Sequence, residues 1–188
     1  MSEATSVCAA ARAAFGGVDV LVSSTVGPFG PKLFHNIPAA DIEQILVKQM
    51  MAPLLMSRLV WQGMRERGGG VIVNIASDAG KLTTPGESVI GAAMAGIIMF
   101  SRTLAIEGKR DGIRVNVLTP SIIEGTATYY QVMGDEFSGK LFGKALKMAQ
   151  LGVAVPDDLT ALMVFLTGPQ AAKLTGQAIS VNGGISAA

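Results

Sequence analysis

The chain has little of what metal sites and disulfide frameworks require. Its 188 residues include one cysteine, Cys8, and one histidine, His35. A single cysteine forbids an internal disulfide, and a single histidine without a cysteine cluster removes the usual zinc and iron ligand sets. We therefore expect no metal site, and this cysteine usage favours a reducing, cytoplasmic location.

Charge is also scarce. Charged residues make up 15% of the chain, against about 25% in a typical soluble domain. The 15 Lys and Arg residues and the 14 Asp and Glu residues leave a formal net charge of +1. Such a balance provides no field that would hold a nucleic acid or an anionic membrane. The low share of charge instead favours a surface that is partly covered in an oligomer.

Long hydrophobic runs and a secretory pattern are missing as well. The longest apolar run, Val89 to Phe100, is shorter than the roughly 20 residues that a bilayer crossing needs. It predicts a buried helix. Glu3 stands where a secretory signal would carry its basic residues, so we expect no signal sequence.

Apolar periodicity and the Gly- and Pro-rich breaks between apolar segments predict alternating helices and strands. Pro53 should kink or break the second helix. Strands that are nearly all apolar imply a parallel sheet covered on both faces, hence an α/β fold in one domain over residues 1–188. The predicted elements are helix Ala4–Phe15, strand Val18–Ser24, helix Asp41–Arg67, strand Val71–Ser77, helix Ser88–Gly108, strand Ile113–Leu118, an irregular segment Thr119–Lys147, helix Pro156–Thr167 and strand Ala178–Asn182.

Four sequence blocks resemble the short-chain dehydrogenase/reductase family over essentially the whole chain. They are GGVDVLV leading into SSTVG, GGGVIVNIASDAG, GIRVNVLTP and LTGQAISVNGG, in the family's order and spacing. The resemblance implies a Rossmann-like doubly wound sheet, incomplete because the family's first βαβαβ part has no counterpart here. The SDAG and GES stretches and the tail are also similar to a branch that includes hydroxyacyl-CoA dehydrogenases of cyclic and aromatic acid degradation.

The resemblance also implies where catalytic groups would stand. In that family a Tyr exchanges the substrate proton, a Lys four residues later lowers the Tyr pKa and holds the ribose, a Ser orients the carbonyl, and an Asn supports a water. The serine falls on Ser77, but the Tyr and Lys positions fall on Ile90 and Met94, and the Asn position on Gln49. Losing positioned acid–base catalysis typically costs about 10²–10⁴-fold. Of the four catalytic positions, only Ser77 is retained.

The same resemblance bears on the cofactor. The family opens with a strand, a Gly-rich phosphate turn and a helix whose N-terminus receives the pyrophosphate. The sequence begins in what resembles the helix before the family's fourth strand, so about sixty residues of that part have no counterpart. The glycines Gly68 to Gly70 precede a strand and do not join a strand to a helix. We therefore expect that this chain binds no cofactor and that NAD is bound by an active partner subunit.

Other residues allow alternative interpretations. Ser77 is either a remaining catalytic serine or a strand-end serine that caps the following turn. Tyr129 with Lys140 is a conceivable substitute site, and the glycines Gly134 and Gly139 before Lys140 imitate a phosphate-binding loop by coincidence. His35, in the loop HNIP, is more typical of a surface residue than of a general base.

The resemblance predicts interfaces more clearly than chemistry. Helices Asp41–Arg67 and Ser88–Gly108 correspond to those by which relatives pair, and strand Val18–Ser24 would be an open edge that a helix, a loop or a second protein must shield. We expect a non-catalytic subunit that assembles with an active, NAD-dependent paralogue, or with itself, and that serves a hydroxyacyl-CoA reaction. The alternatives are an NAD(P)-dependent alcohol or carbonyl oxidoreductase with a non-standard proton donor, or a fragment of one, and an acyl-CoA or small-molecule binding module.

Overall fold

The computed structural model describes residues 2–187, and its centre is a four-stranded parallel sheet. The strands follow one another in chain order across the sheet, and Leu21 lies beside Ile72, which lies beside Val115. The predicted α/β fold with a parallel sheet is confirmed. The strands are β1 (Val20–Ser23), β2 (Gly70–Ile75), β3 (Ile113–Pro120) and β4 (Ala178–Val181).

Helices connect the strands and cover both faces of the sheet. They are α1 (Ser2–Phe15), α2 (Ala39–Glu66), α3 (Ser88–Gly108), α4 (Ala127–Gly134), α5 (Glu136–Met148) and α6 (Pro156–Thr167). The bounds of α3 and α6 are those the sequence predicts. Helix α6 begins sharply because Pro156 suits the first helical position and the Asp158 carboxylate accepts the Val155 N–H at 2.8 Å.

The segment Thr119–Lys147, predicted to be irregular, carries two helices, and that prediction is wrong. The Thr126 hydroxyl accepts the Tyr129 N–H at 3.1 Å and so caps α4. The Asp135 carboxylate accepts the Ser138 N–H at 2.8 Å and caps α5. These two side-chain caps satisfy N–H groups that a helix start otherwise leaves without partners.

Of the two outcomes predicted at Pro53, a kink or a local break, the break does not occur. Helix α2 continues through this residue without interruption, and Pro53 is buried. Ser57, Val60 and Met64 are buried along the same helix. We attribute the tolerance of the proline to its burial, because packing against the rest of the fold supports a backbone that has lost one hydrogen bond.

The core has two faces around the sheet. Helices α1, α2 and α3 lie on one face, where the buried residues Leu21, Met64, Ile72 and Val115 form a cluster. Helix α6 covers the other face through a cluster that includes Leu166. Both faces carry apolar strand residues, which is why the strands of this sheet are almost uniformly apolar.

Strand β1 is an edge of the sheet, as expected. Its side chains alternate between the two faces, so Leu21 is buried while Val20 and Val22 are 43% and 41% exposed. Helix α1 covers the Leu21 face through the buried Cys8. The opposite face of β1, which carries Val20 and Val22, is covered less completely by residues 2–187 than the Leu21 face is.

The stretch Ser88–Asp111, which comprises α3 and the short turn after it, is long and apolar enough to cross a membrane by length and composition alone, with a mean hydropathy of 1.8. This criterion is weak evidence, because the core helix of a globular fold meets it as well. In the structure α3 packs against α2 and β3 and buries eight residues, Val89, Ala93, Met94, Ile97, Ile98, Ser101, Ala105 and Gly108.

Candidate functional site

The carboxyl ends of the parallel strands form the edge where ligands bind in folds of this kind. Ser77 follows β2 at this edge, and its hydroxyl accepts the Ala79 N–H at 3.2 Å. The serine therefore caps the short 3-10 turn Asp78–Gly80, which is the role that the capping interpretation predicts. The hydroxyl proton of Ser77 is still available to a ligand in this arrangement, because the oxygen acts only as an acceptor.

Gln49, at the family's Asn position, is buried in α2 with 2% exposure. Its side-chain oxygen accepts the Gly27 N–H at 3.2 Å. The contact ties α2 to the loop after β1, and a side chain at Gly27 would meet Gln49 at 3.3 Å. Gln49 thus supports a loop of the cleft in this structure.

Ile90 and Met94 lie one turn apart near the start of α3. Met94 is 7% exposed and belongs to a buried apolar cluster with Ala76, Ile97 and Val117, against which Ile90 packs. A thioether inside such a cluster can neither lower the pKa of a neighbour nor hold a hydroxyl of a sugar. The structure therefore shows apolar packing at the two positions to which the resemblance assigns a proton donor and a cation.

The turn after Ser77 lies directly against α3. A Cβ at Gly80 would lie 2.7 Å from the backbone of Met94, and a Cβ at Gly91 would lie 2.7 Å from the carbonyl oxygen of Ala79. Real side chains essentially never come this close. Because these two residues lack a Cβ, the turn after Ser77 packs directly against the start of α3.

A buried polar cluster on the other side of the turn was not predicted from the sequence. The Asp78 carboxylate, 5% exposed, accepts hydrogen bonds from Ser180 at 3.0 Å, from Ser186 at 3.2 Å and from the Asn182 amide. Lys81 lies 3.7 Å from the same carboxylate and donates to Ser180. We call these five residues the Asp78 cluster. It ties the loop after β2 to the end of β4 and to the C-terminal segment.

Glu87 is a second group whose environment the sequence does not predict. It immediately precedes α3, three residues before Ile90, and burial raises the pKa of its carboxyl to about 7, against a hydrogen bond from Thr84 that lowers it. Nothing in the sequence distinguishes Glu87 from a solvated loop residue, since its burial depends on the fold of the whole loop. Its chain neighbours Gly86 and Val89 line the first of the two cavities described below, although Glu87 itself does not.

The other candidates from the sequence do not assemble into a site. Lys140 is exposed and pairs with Glu136 on its own helix at 2.8 Å. Tyr129 stacks edge-on with Tyr130, with 5.4 Å between the ring centroids. His35 lies exposed in a short 3-10 turn.

Two neighbouring cavities lie between the loop after β1 and the starts of the helices. The first has a volume of about 130 Å³ and includes Ile90 in its wall. The second has a volume of about 380 Å³ and reaches α4 and α5. Gly30 and Lys32 line both cavities.

The residues described do not fit a nicotinamide dinucleotide. Met94 offers no cation for the ribose, because its thioether is packed into the core. Gly68 to Gly70 lie at the start of β2, at the opposite end of the strand from Ser77. Pyrophosphate in such folds binds at the carboxyl ends of the strands, at a helix N-terminus after a Gly-rich turn.

Comparisons with known proteins agree with one another. The protein-family description "Enoyl-(Acyl carrier protein) reductase" matches residues 1–186. An acetoacetyl-CoA reductase of Allochromatium vinosum is 32% identical over 170 residues, which are 90% of this chain and 67% of that protein. An "Inactive 2-(S)-hydroxypropyl-CoM dehydrogenase 2" of Xanthobacter autotrophicus is 30% identical over 183 residues, 95% of this chain and 78% of that protein. The solved structure of a 7 alpha-hydroxysteroid dehydrogenase complexed with NADH and 7-oxo glycochenodeoxycholic acid superposes with a TM-score of 0.87 at 28% identity, over 97% of this chain and 69% of that one.

Proposed function

The chain belongs to the short-chain dehydrogenase/reductase family, and from this membership we propose that it is a non-catalytic subunit that assembles with an active, nicotinamide-dependent paralogue. The observation that carries the proposal is the apolar packing of Ile90 and Met94. An aliphatic group and a thioether cannot exchange protons at any accessible pH. The reaction and its NAD then belong to the partner subunit.

The relatives support the class of the proposed complex. One relative is named an inactive dehydrogenase, which is the class of protein that we propose for this chain. Another is named an acetoacetyl-CoA reductase. We accordingly propose that the active partner acts on a hydroxyacyl- or oxoacyl-CoA.

The surface of the two long helices supports an interface with that partner. Val47 and Met51 on α2 and Met99 and Ile106 on α3 are exposed apolar residues. Exposed apolar side chains on adjacent helices favour a protein contact over a solvated face. We therefore place the proposed interface on helices 41–67 and 88–108.

Co-purification tests the assembly. We expect the chain, produced together with a full-length paralogue that has the Tyr and Lys pair, to elute with it in a fixed ratio. Val47→Asp should lower the recovered partner by at least about tenfold, since about 1.4 kcal/mol of lost binding free energy suffices. Val7→Asp on α1 is the matched control, because Val7 is 60% and Val47 49% exposed. A stable isolated homomer that ignores the paralogue would contradict the proposal.

Calorimetric titration with NAD and NADP tests whether the cofactor is bound by the partner subunit and not by this chain. We expect no binding by the isolated chain at submillimolar concentrations, because the residues described provide no phosphate turn and no ribose-binding cation. Submillimolar binding would overturn the proposal.

A second candidate function is an oxidoreductase with a non-standard proton donor, and Glu87 is the observation that favours it. A general acid works best when its pKa is close to the working pH, and burial brings the pKa of Glu87 to about 7. If the isolated chain oxidises or reduces a substrate, Glu87→Gln should abolish the activity while Glu136→Gln preserves it. Activity that survives Glu87→Gln would exclude this candidate.

A further inference from the structure

Strand β1 leaves a row of backbone hydrogen-bonding groups open at the edge of the sheet. The Val71 N–H donates to the Asp19 carbonyl oxygen at 2.9 Å. Alternate residues of a strand bond to its parallel neighbour, so Leu21 directs its N–H and C=O groups to β2 as Asp19 does. Val20 and Val22 direct theirs outwards, and no described residue outside the sheet bonds to these outward groups.

The same strand carries no residue of the kind that usually protects a sheet edge. Its four residues, Val20–Ser23, include no charge, proline or glycine, whereas natural edge strands often carry Lys or Pro. Val20 and Val22 are 43% and 41% exposed, and they share a face with the buried Val71 and Val73 of β2. The edge therefore offers both backbone groups and apolar surface to an added strand.

A second copy of β1, running antiparallel, satisfies all the outward groups when Val20 lies opposite Val22 of the other copy. Each of the two valine pairs then exchanges two hydrogen bonds. The four valines meet on one face of the sheet, where apolar cross-strand pairs are stabilising. Leu21 lies on the two-fold axis in this register, so the contact closes as a dimer and leaves no β1 edge open.

The same register supplies an acceptor for a hydroxyl that lacks one. Ser23 is 6% exposed, and its Oγ has no hydrogen-bond partner among the described residues. Asp19 of the second copy lies directly opposite Ser23, at a Cβ separation of about 4.5–5.5 Å. Its carboxylate is exposed and can accept the hydroxyl proton. A strand of another sequence would match only the backbone of β1.

Charge does not oppose this pairing. Arg67 pairs with Asp19 of its own chain at 3.2 Å and also donates to the Val18 carbonyl oxygen. The two Asp19 carboxylates stand at opposite ends of the paired strands, each beside its own arginine. Like charges therefore do not meet across the contact.

We propose that two copies of this chain join edge to edge through β1, antiparallel and with Val20 opposite Val22, so that their two sheets become one. The contact is short, and interfaces that bury little surface are weak. It does not use the exposed apolar residues of α2 and α3. The inference therefore goes beyond the proposed function, and a complex with the paralogue would contain two copies of this chain.

Analytical ultracentrifugation of the isolated chain from about 1 to about 200 μM tests the association. We expect a reversible monomer–dimer equilibrium that Val20→Lys weakens at least about tenfold, because each ammonium would lie against an apolar pair. Val155→Lys is the matched control, since Val155 is 38% exposed at the start of α6. A chain that stays monomeric throughout, or equal effects of the two substitutions, would overturn the proposal. A dimer that is lost in Val47→Asp but kept in Val20→Lys would also overturn it, because the contact would then lie on α2.

Mixtures of charged variants test the register. Val20→Lys and Val22→Glu should each dimerise poorly alone, whereas their mixture places an ammonium opposite a carboxylate. We expect the mixture to associate at least about threefold more tightly than either variant alone. The mixture of Val20→Lys with Val20→Glu is the control, because these two positions are not opposed in the proposed register. Equal recovery in both mixtures would overturn the register and the proposal with it.

Hydrogen exchange of the parent chain tests the same contact without a substitution. The Val20 and Val22 amides should exchange more slowly as the protein concentration rises, whereas the Leu21 amide, which donates to β2, should be protected at every concentration. Exchange at Val20 and Val22 that does not change with concentration would overturn the proposal. Failure of co-purification with a paralogue would overturn the proposed function alone, because the two contacts use different parts of the surface.

Discussion

The two sides of the turn after Ser77 differ in how they use polar groups. On one side lies the Asp78 cluster. Its carboxylate is 5% exposed and accepts hydrogen bonds from donors at the end of β4 and in the C-terminal segment. On the other side Met94 belongs to a buried apolar cluster against which Ile90 packs. The polar groups at this edge of the sheet therefore connect chain segments, while apolar packing fills the positions to which the family resemblance assigns proton transfer.

The physical reason lies in the cost of burying charge. A carboxylate can be buried only if donors and a cation replace its water, as Lys81, Ser180, Asn182 and Ser186 do for Asp78. Met94 has no such partners and needs none. The buried carboxylate and the apolar cluster are therefore each stable in their own surroundings. Removing the Asp78 carboxylate, or placing a charge at Met94, should lower the free energy of unfolding.

The largest effect should come from removing the carboxylate of the Asp78 cluster. Asp78→Ala leaves Lys81 and three donors without their shared acceptor, so we expect the free energy of unfolding to fall by about 3–5 kcal/mol. Urea unfolding followed by circular dichroism measures it. Asp111→Ala is the control, since the partly solvent-exposed Asp111–Arg65 pair should contribute no more than about 1 kcal/mol. Equal losses in the two variants would remove the distinction between the Asp78 cluster and a surface ion pair.

Placing a charge on the apolar side should be the next largest change. Met94→Lys restores the residue type of the family but puts an ammonium into a cluster without an acceptor, and we expect a loss of about 3–4 kcal/mol at pH 7. Met94→Leu, which conserves volume, should cost less than about 1.5 kcal/mol. Denaturant unfolding of both variants checks this. If Met94→Lys were as stable as the parent chain, the position would have to be more polar than the structure indicates.

Glu87 should make the free energy of unfolding depend on pH. Its carboxyl pKa is raised from 4.5 to about 7 in the folded chain, mainly by burial. Between these values the folded state keeps a proton that the unfolded state has lost, so the free energy of unfolding should fall as pH rises, by at most about 3 kcal/mol. The contribution is complete below pH 4.5 and lost above about pH 7.

Unfolding measured from pH 4 to pH 8 in the parent and in Glu87→Gln tests this slope. The variant should lack the part of the pH dependence that Glu87 causes, while Glu136→Gln, on an exposed residue, should retain it. The same slope in all three proteins would mean that Glu87 is solvated.

The smallest effect is expected at Ser77 itself. Ser77→Ala removes the acceptor of the Ala79 N–H and should cost about 1 kcal/mol, the usual value of a lost side-chain cap. Thermal unfolding of Ser77→Ala and Ser77→Thr, which keeps the hydroxyl, separates the cap from a packing effect. A loss above about 3 kcal/mol would show that the serine belongs to a larger network than the one seen here.

Local patterns predicted the elements whose causes are local. The bounds of α3 and α6 and the position of β3 follow from apolar runs that end at Gly or Pro. The helices α4 and α5 were missed although Thr126 and Asp135 provide caps that could have signalled them. The signal was available, but the Gly and polar residues of the segment favoured an irregular interpretation.

Contacts between distant residues could not be predicted in the same way. Asp78 and Ser180 are 102 positions apart in the chain. One carboxylate in a Gly- and Pro-rich loop does not indicate which donors will surround it, and the burial of Glu87 depends on the same loop. The family resemblance assigned Ser77, Gln49, Ile90 and Met94 to catalytic positions but did not indicate which residues they contact.

The sequence by itself determined that two side chains without exchangeable protons stand at Ile90 and Met94, because chemical identity does not depend on folding. Only the tertiary structure decided that Met94 is packed in a core cluster, that Ile90 forms the wall of a cavity, and that Asp78 is buried among donors. The physical reason is that burial and partnership arise when distant segments meet. They set the cost of a charge, the pKa of a carboxyl and the shape of a pocket, and none of these is a property of one residue alone.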